Sequence, residues 1–232
     1  MFQLNQPYKR TVLLFMTASI IIFSFISYQI IVMGITGFDG FMAEIMPLPP
    51  SSVLTLLMEG ISILGSVYLL AAASLLLVLY MWRQQEIHKI LFFLTAMFGG
   101  VVLNLLLKIG FGRSRPENLE AYDVFGVTLH FVNYSFPSGH TMRTFIFYGC
   151  LLLFLLTDKR IQSRIKTIIS CMLASIILLV GISRVYLEAH YPSDIIAGYT
   201  VSLAWMCICI FAVGRMSQSN SSHLSRQTFG KD

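Results

Sequence analysis

The sequence predicts an all-α integral membrane protein, a bundle of six membrane-spanning helices, and three observations predict it. Charged residues make up only 12% of the chain against 56% hydrophobic, and mean hydropathy is +0.75. A soluble domain carries about 25% charged residues, so 16 basic and 11 acidic side chains are too few to cover a soluble surface on 232 residues. Disorder is excluded as well, because it needs low hydrophobicity and high charge. The second observation is that the charges cluster and leave six long apolar runs between them. The third is that the basic residues divide unevenly between alternate connections.

The runs cover about 11–33, 61–82, 90–107, 138–157, 167–183 and 194–214. Each is close to the ~20 residues that cross ~30 Å of hydrocarbon as a helix. Helices are the default, because backbone groups in lipid must be satisfied within their own segment. None of the runs shows the period-two alternation of a transmembrane barrel. The first is too long for a signal-peptide core and has no A-x-A cleavage site, so it reads as a retained helix.

Six spans put both termini on one side. Lys9, Arg10, Arg83, Lys89, Lys159, Arg160, Arg164, Lys166, Arg215, Arg226 and Lys231 fall together, 11 of the 16 basic residues. The other five are Lys108, Arg113, Arg115, Arg143 and Arg184. By the positive-inside rule the termini and the 83–89 and 158–166 loops are cytoplasmic, in a multi-pass protein of the cell membrane. One domain over 1–216 and a polar, Ser-rich, disordered cytoplasmic tail over 217–232 complete the expected organisation.

The 34–60 segment reads as a connection lying on the bilayer, broken by Gly37, Gly40, Pro47, Pro49 and Pro50. Phe38, Phe41, Met42 and Met46 suit the interface, and Ser51 caps a short helix to Glu59. A sharper reading makes this segment a lipid-substrate entrance. Cys150, Cys171, Cys207 and Cys209 all lie within spans and behave as small hydrophobes; no metal site is expected there. The sequon Asn133-Tyr134-Ser135 is set aside, since a glycan would crowd the neighbouring motif. Gly99-Gly100 serves close helix packing, either within the bundle or between chains.

Three polar clusters are out of place in so apolar a chain: Lys108-Ile-Gly-Phe-Gly-Arg113-Ser-Arg115-Pro116, Ser135-Phe-Pro137-Ser138-Gly139-His140, and Ser183-Arg184 through His190-Tyr-Pro192-Ser-Asp194. The topology above brings all three to the outer membrane boundary. Lys108 and Arg115 are cations separated by Gly110 and Gly112, which let backbone approach a ligand. Arginine forks match phosphate oxygens. Arg113 alternates with Arg115, so the two need not face one site, and Arg113 reads as a cation meeting lipid headgroups. Ser138 caps a helix whose first amides Gly139 leaves uncovered, an anion site. His140 lies in its first turn, in reach of a proton transfer. Pro192 starts the last span. Asp194 then reaches back towards His190, fixing one imidazole nitrogen and freeing the other as a nucleophile; helix capping by Asp194 is compatible with that role.

In order the clusters read K-x6-R-P, P-S-G-H and S-R-x5-H-x3-D. Together they resemble the phosphatidic acid phosphatase type 2 superfamily, in its membrane lipid phosphate phosphatase branch. The motifs span 108–194, and the six-span layout extends the resemblance to about 11–214. The resemblance implies that His190 attacks phosphorus and becomes a phosphohistidine, that Asp194 orients it, and that His140 protonates the leaving oxygen. It implies that Lys108, Arg115, Ser138, Gly139 and Arg184 bind the phosphoryl oxygens, and that no metal or other cofactor is used. The implied partner is a lipid phosphate substrate, such as phosphatidylglycerophosphate, phosphatidic acid or undecaprenyl diphosphate, within membrane lipids; no nucleic acid is expected. Two residues depart from the usual surroundings. Arg143 stands where a small or neutral residue is common, as a further phosphate cation or a partner of Glu188. Glu188 stands where glycine is common.

A lipid phosphotransferase using the same phosphohistidine is the enzymatic alternative. A transporter is the rival of another class, but its ionisable groups would lie near the midplane rather than at span ends. Which lipid is the substrate, and whether the chain is oligomeric, the sequence leaves open.

Overall fold

The computed structural model describes residues 6–34, 36–45, 51–116, 123–124, 127–128 and 134–228. Among the described residues the chain is all-helical apart from a two-residue antiparallel ladder between β1 (Asp123–Val124) and β2 (Val127–Thr128) in the 108–137 connection. The helices are α1 (Gln6–Met33), α2 (Gly37–Ile45), α3 (Ser52–Ile63), α4 (Val67–Arg83), α5 (Ile87–Phe111), α6 (Gly139–Thr157), α7 (Ser163–Tyr186) and α8 (Pro192–Thr228). Six stretches among them are long and apolar enough to cross a membrane, with α3 and α4 making one of them.

The expected starts of the motif helices are met. Ser138 is the N-cap of α6, its hydroxyl accepting from the Thr141 amide at 3.4 Å. Pro192 is the first residue of α8. The second span differs: α4 begins at Val67, and Ile61–Ile63 belong to α3. The chain turns through Leu64-Gly65-Ser66, and the Ser66 hydroxyl accepts from the Leu69 amide at 3.3 Å, starting a new helix. A Cβ on Gly65 would lie 2.5 Å from Thr144 Oγ1 and 2.7 Å from Val180 Cγ1, so the turn is wedged against α6 and α7.

Two further expectations are corrected. Gly37 and Gly40 do not break the 34–60 segment but lie inside α2. That helix is held by a reciprocal cap, with the Thr36 amide donating to Asp39 (3.3 Å) and the Asp39 amide to the Thr36 hydroxyl (3.1 Å), which offsets the poor helix propensity of glycine. The helix from Ser51 forms and runs on to Ile63. Phe38 and Phe41 are exposed on α2 as expected, while Met46, Pro47, Pro49 and Pro50 lie outside the described residues. The tail from Ser217, expected to be disordered, continues α8 as helix to Thr228. No glycine or proline occurs between Gly214 and Gly230, and extending an existing helix is easier than nucleating one. Residues 229–232, like Asn133 of the sequon, lie outside the described residues.

Burial shows which helices form the centre. Of the apolar windows in α6 and α8, 50% and 56% are buried, against 17–28% elsewhere. Large apolar side chains such as Leu14, Ile21, Phe25, Leu76, Phe98 and Ile168 point outward, as lipid-facing positions do. The main core joins α4 to α8 through Leu70, Phe92, Phe93, Ile146, Phe147, Ile177 and Met206. A second, smaller cluster sits under the polar motifs. There Phe136 stacks on Phe23 of α1 (5.8 Å) and meets Phe111 of α5 edge-on (4.7 Å), beside Ile30 and Ala197.

Gly99 and Gly100 serve packing within the bundle. A Cβ on Gly99 would lie 2.2 Å from Trp205 Cζ2, and one on Gly100 2.3 Å from Ile146 Cδ1; the Trp205 indole also donates to the Ala96 carbonyl at 3.0 Å. Overpacking a filled interior costs about 1–3 kcal/mol. Gly99→Leu is therefore expected to lower the unfolding midpoint in detergent and to shift Trp205 fluorescence. An unchanged midpoint and spectrum would show that the α5–α8 seam is loose.

Candidate active site

The three motifs converge at one end of the bundle, where α5 and α7 finish and α6 and α8 begin. α5 ends at Gly112, whose φ of +58° is the left-handed conformation that glycine adopts at little cost. The turn sends Arg113 back across the bundle end. The Ser138 amide then donates to the Asp194 carbonyl at 3.2 Å, tying the start of α6 to the start of α8. Lys108, buried near the end of α5, donates to the Tyr134 carbonyl at 2.5 Å.

His190 sits in the turn between α7 and α8 and is 3% exposed. Its Nδ1 lies 3.1 Å from Ser135 Oγ and 3.5 Å from Asp194 Oδ2. The Ser135 hydroxyl donates to Asp194 Oδ2. A hydroxyl has one proton to give, so Ser135 accepts from Nδ1–H and passes the interaction on to Asp194. That fixes the tautomer and leaves Nε2 with its lone pair available. Burial lowers the His190 pKa to about 4, overriding the opposite pull of Asp194, with Arg115 and Lys108 adding to the lowering. At neutral pH the ring is an uncharged base and a competent nucleophile. Asp194 also accepts from the Tyr191 amide at 3.0 Å, so capping and orientation are carried by one carboxylate.

His140 is the second residue of α6. Arg143, Arg184, His190 and Arg115 all lie within electrostatic range of it, as Arg115, Arg143 and Asp194 do of Lys108. Arg184 donates to Ser62 Oγ at 2.8 Å. Gly139 is needed where it stands: a Cβ there would lie 3.0 Å from Asn104 Oδ1 and 3.1 Å from Arg143 Nη1. Every sequence-selected residue (His190, His140, Asp194, Lys108, Arg115, Ser138, Gly139, Arg184 and Arg143) therefore belongs to this one end of the bundle. The arrangement brings two imidazoles and several cations within electrostatic range of one another. Glu188 is exposed, and among the described residues no ion pair joins it to Arg143. Its φ of +53° accounts for the glycine common at that position in the family it resembles.

Sequence reasoning missed a buried charge clamp. Arg113, expected at the headgroups, is 7% exposed and bridges two carboxylates, donating to Asp194 Oδ1 at 2.6 Å and to Asp39 Oδ2 at 2.8 Å. Asp39 also accepts from the Ser193 amide (2.9 Å) and hydroxyl (2.7 Å), and the Tyr191 ring covers the guanidinium at 4.2 Å. Ser135, Ser193 and Asn104 were missed as well. Asn104 lies one helical turn before Lys108 and donates to the Pro137 carbonyl at 3.1 Å. The signal available for it was an amide inside an otherwise apolar span; for Asp39, an acid in the 34–60 segment, which holds three acids and no Lys or Arg.

The PAP2 superfamily profile matches residues 89–217, more than half of the chain. The chain belongs to the PAP2 superfamily. Within it, the chain is 34% identical over 102 residues to phosphatidylglycerophosphatase B of Bacillus subtilis, covering 44% of this chain and 47% of that protein. It is 37% identical over 109 residues to a lipid A 1-phosphatase of Rhizobium etli, covering 46% of this chain and 42% of that one. The alignments thus span about half the length of these curated relatives. A crystal structure of a transmembrane PAP2-type phosphatidylglycerolphosphate phosphatase from Bacillus subtilis superposes over 88% of this chain and 96% of that one, with a TM-score of 0.71 at 24% identity. The fold is therefore that of a transmembrane PAP2 protein, and the match extends across the amino-terminal helices that the profile leaves out.

Proposed function

We propose that the protein is a membrane-embedded lipid phosphate phosphatase that hydrolyses a phosphomonoester or diphosphate headgroup at the outer leaflet. The observation that carries the reading is the pairing of an oriented, neutral His190 with His140 inside a ring of cations. In the proposed reaction His190 Nε2 attacks phosphorus, the bond to the lipid oxygen breaks, and His140 gives that oxygen a proton. Water then attacks the phosphohistidine, the P–N bond breaks, His140 takes the water's proton, and inorganic phosphate leaves. Lys108, Arg115, Arg184 and the first amides of α6 hold the phosphoryl oxygens through both steps. Placed charge of this kind does most of the work in phosphoryl transfer. These cations fill the place of a metal, so the reaction is proposed to be metal-independent.

The names of the relatives support a lipid phosphate such as phosphatidylglycerophosphate or a lipid A-type phosphate as the substrate; phosphatidic acid and undecaprenyl diphosphate complete the panel as the candidates the motif resemblance implies. The distribution of basic residues supports cytoplasmic termini and an outward-facing site, with 1–216 as the catalytic unit. Phosphate release is to be measured with purified protein in vesicles, over this panel, with water as the only acceptor. Release that persists in EDTA is expected. No release without an added alcohol acceptor would make the protein a phosphotransferase. Loss in EDTA reversed by Mg²⁺ would overturn the metal-free reaction.

A further inference from the structure

We propose that Arg143 and the pocket beside it bind a second anionic group on the departing part of the substrate, which is therefore a lipid diphosphate or a phosphomonoester whose lipid retains a phosphodiester. This rests on the phosphatase reading above and narrows it. Such substrates leave behind a lipid that is still anionic, whereas phosphatidic acid leaves a neutral one.

The geometry points there in three steps. Arg143 lies three residues after His140 on α6, about 4.5 Å further into the span. In the proposed reaction the leaving oxygen takes its proton from His140, so a group attached to that oxygen lies within about one helical turn of Arg143. Next, a small pocket of about 30 Å³ lies between α5 and α6 at this level, lined by Met97, Gly100, Val101, Asn104, Met142, Arg143 and Ile146. Among the described residues that line it, the guanidinium is the one charged group and Asn104 the one other hydrogen-bonding side chain. Val101 on the same seam is 49% exposed, on the face that lipid would cover.

The third step is the state of Arg143 itself. Among the described residues no carboxylate pairs with it, and its buried Nε has no hydrogen-bond partner. Charge at span depth is costly and marks function when no protein acid offsets it. The polar contact it does make is Nη2 to His140 Nδ1, at 3.3 Å. A guanidinium only donates, so Nδ1 is accepting. For His140 to serve as an acid it must carry protons on both nitrogens, and Nδ1 can then no longer accept. An anion that draws Arg143 into the pocket releases Nδ1 and lets His140 take up its proton. A second anion would thus be bound and would arm the acid in one movement.

The test uses two substrate pairs with matched tails, in vesicles: farnesyl diphosphate against farnesyl monophosphate, and phosphatidylglycerophosphate against phosphatidic acid. The wild-type protein is expected to favour the doubly anionic member of at least one pair. Charge-assisted hydrogen bonds of this kind are worth about ten- to a hundredfold. Arg143→Gln is expected to cut that kcat/KM ratio by about as much, with Arg143→Lys restoring most of it. The pair that loses its ratio identifies the group, a diphosphate or a phosphodiester. Ratios unmoved in both pairs would overturn the proposal, even if all rates fell together, because Arg143 would then serve the transferred phosphate or His140 alone. That outcome, with release still dependent on His190, leaves the phosphatase reading standing. Release that survives His190→Ala would overturn both.

Discussion

Replacing His190 with alanine is expected to abolish phosphate release. Removing the nucleophile of a covalent mechanism costs on the order of a millionfold in kcat where the nucleophile and its base act as a unit. The substitution removes an imidazole that is nearly fully buried, so folding must be checked beside activity. His190→Asn keeps much of the volume and is expected to be as inactive. The phosphoenzyme gives a second readout: acid-labile label from a ³²P-headgroup substrate is expected on the wild type and on neither variant. The pH dependence follows from burial. His190 is neutral above its lowered pKa of about 4, so the proposed nucleophile is available at neutral pH and is lost as pH falls through about 4, not through the ordinary histidine range near 6.5. Histidine-labelled protein in detergent, with the His190 signal identified by its absence in the alanine variant, measures this directly. A midpoint at 6 or above would mean that the ring is solvated and the buried arrangement wrong. Label and turnover retained in His190→Ala would remove the phosphohistidine mechanism.

Spans, motif helices and the grouping of the motifs were legible in the sequence because each is local or arithmetic. Apolar run length gives a span, Ser138 and Pro192 announce helix starts, and alternate loops must share a side. What escaped was long-range and charge-neutralised. Arg113 looked like a surface cation because sequence spacing says only that it alternates with Arg115; nothing local shows that Asp39, 74 positions earlier, waits for it. Ser135 escaped because a hydroxyl two residues before a proline has many local uses, and only the fold brings it to His190. The Gly37 and Gly40 expectation failed for a related reason: propensity disfavours helix there, but the cap on Thr36 and the tertiary ties of Asp39 outweigh it. The break at Gly65 escaped because hydropathy stays high through it.

Arg113→Met is expected to be the most damaging change outside the motif pattern itself. The guanidinium lies between Asp39 and Asp194, both almost fully buried. Removing the shared cation leaves two carboxylates near each other in a dry setting, and breaking a buried ion pair from one side costs about 3–5 kcal/mol. Asp39→Asn is the gentler probe, since it keeps the shape and leaves Arg113 wholly to Asp194. A structural clamp and a positioning clamp differ in what they do to His190. The ring is faced by Asp194 of α8, by Lys108 of α5 and Arg115 just beyond it, and by His140 of α6. With Arg113 gone, the negative field of Asp194 falls more fully on His190 and favours its protonated form, so its titration is expected to move to higher pH. With Asp39 neutral, Arg113 offsets Asp194 more completely, and the same titration is expected to move to lower pH. A purely structural role lowers the unfolding midpoint in both variants and leaves the His190 titration of the folded fraction where it was. The positioning role lowers kcat with little change in KM, because in the proposed reaction His190, oriented through Ser135 and Asp194, attacks the phosphorus after binding. Opposite titration shifts in the two variants, with the loss confined to kcat, would identify α2 as the part of the chain that holds the nucleophile's carboxylate in place.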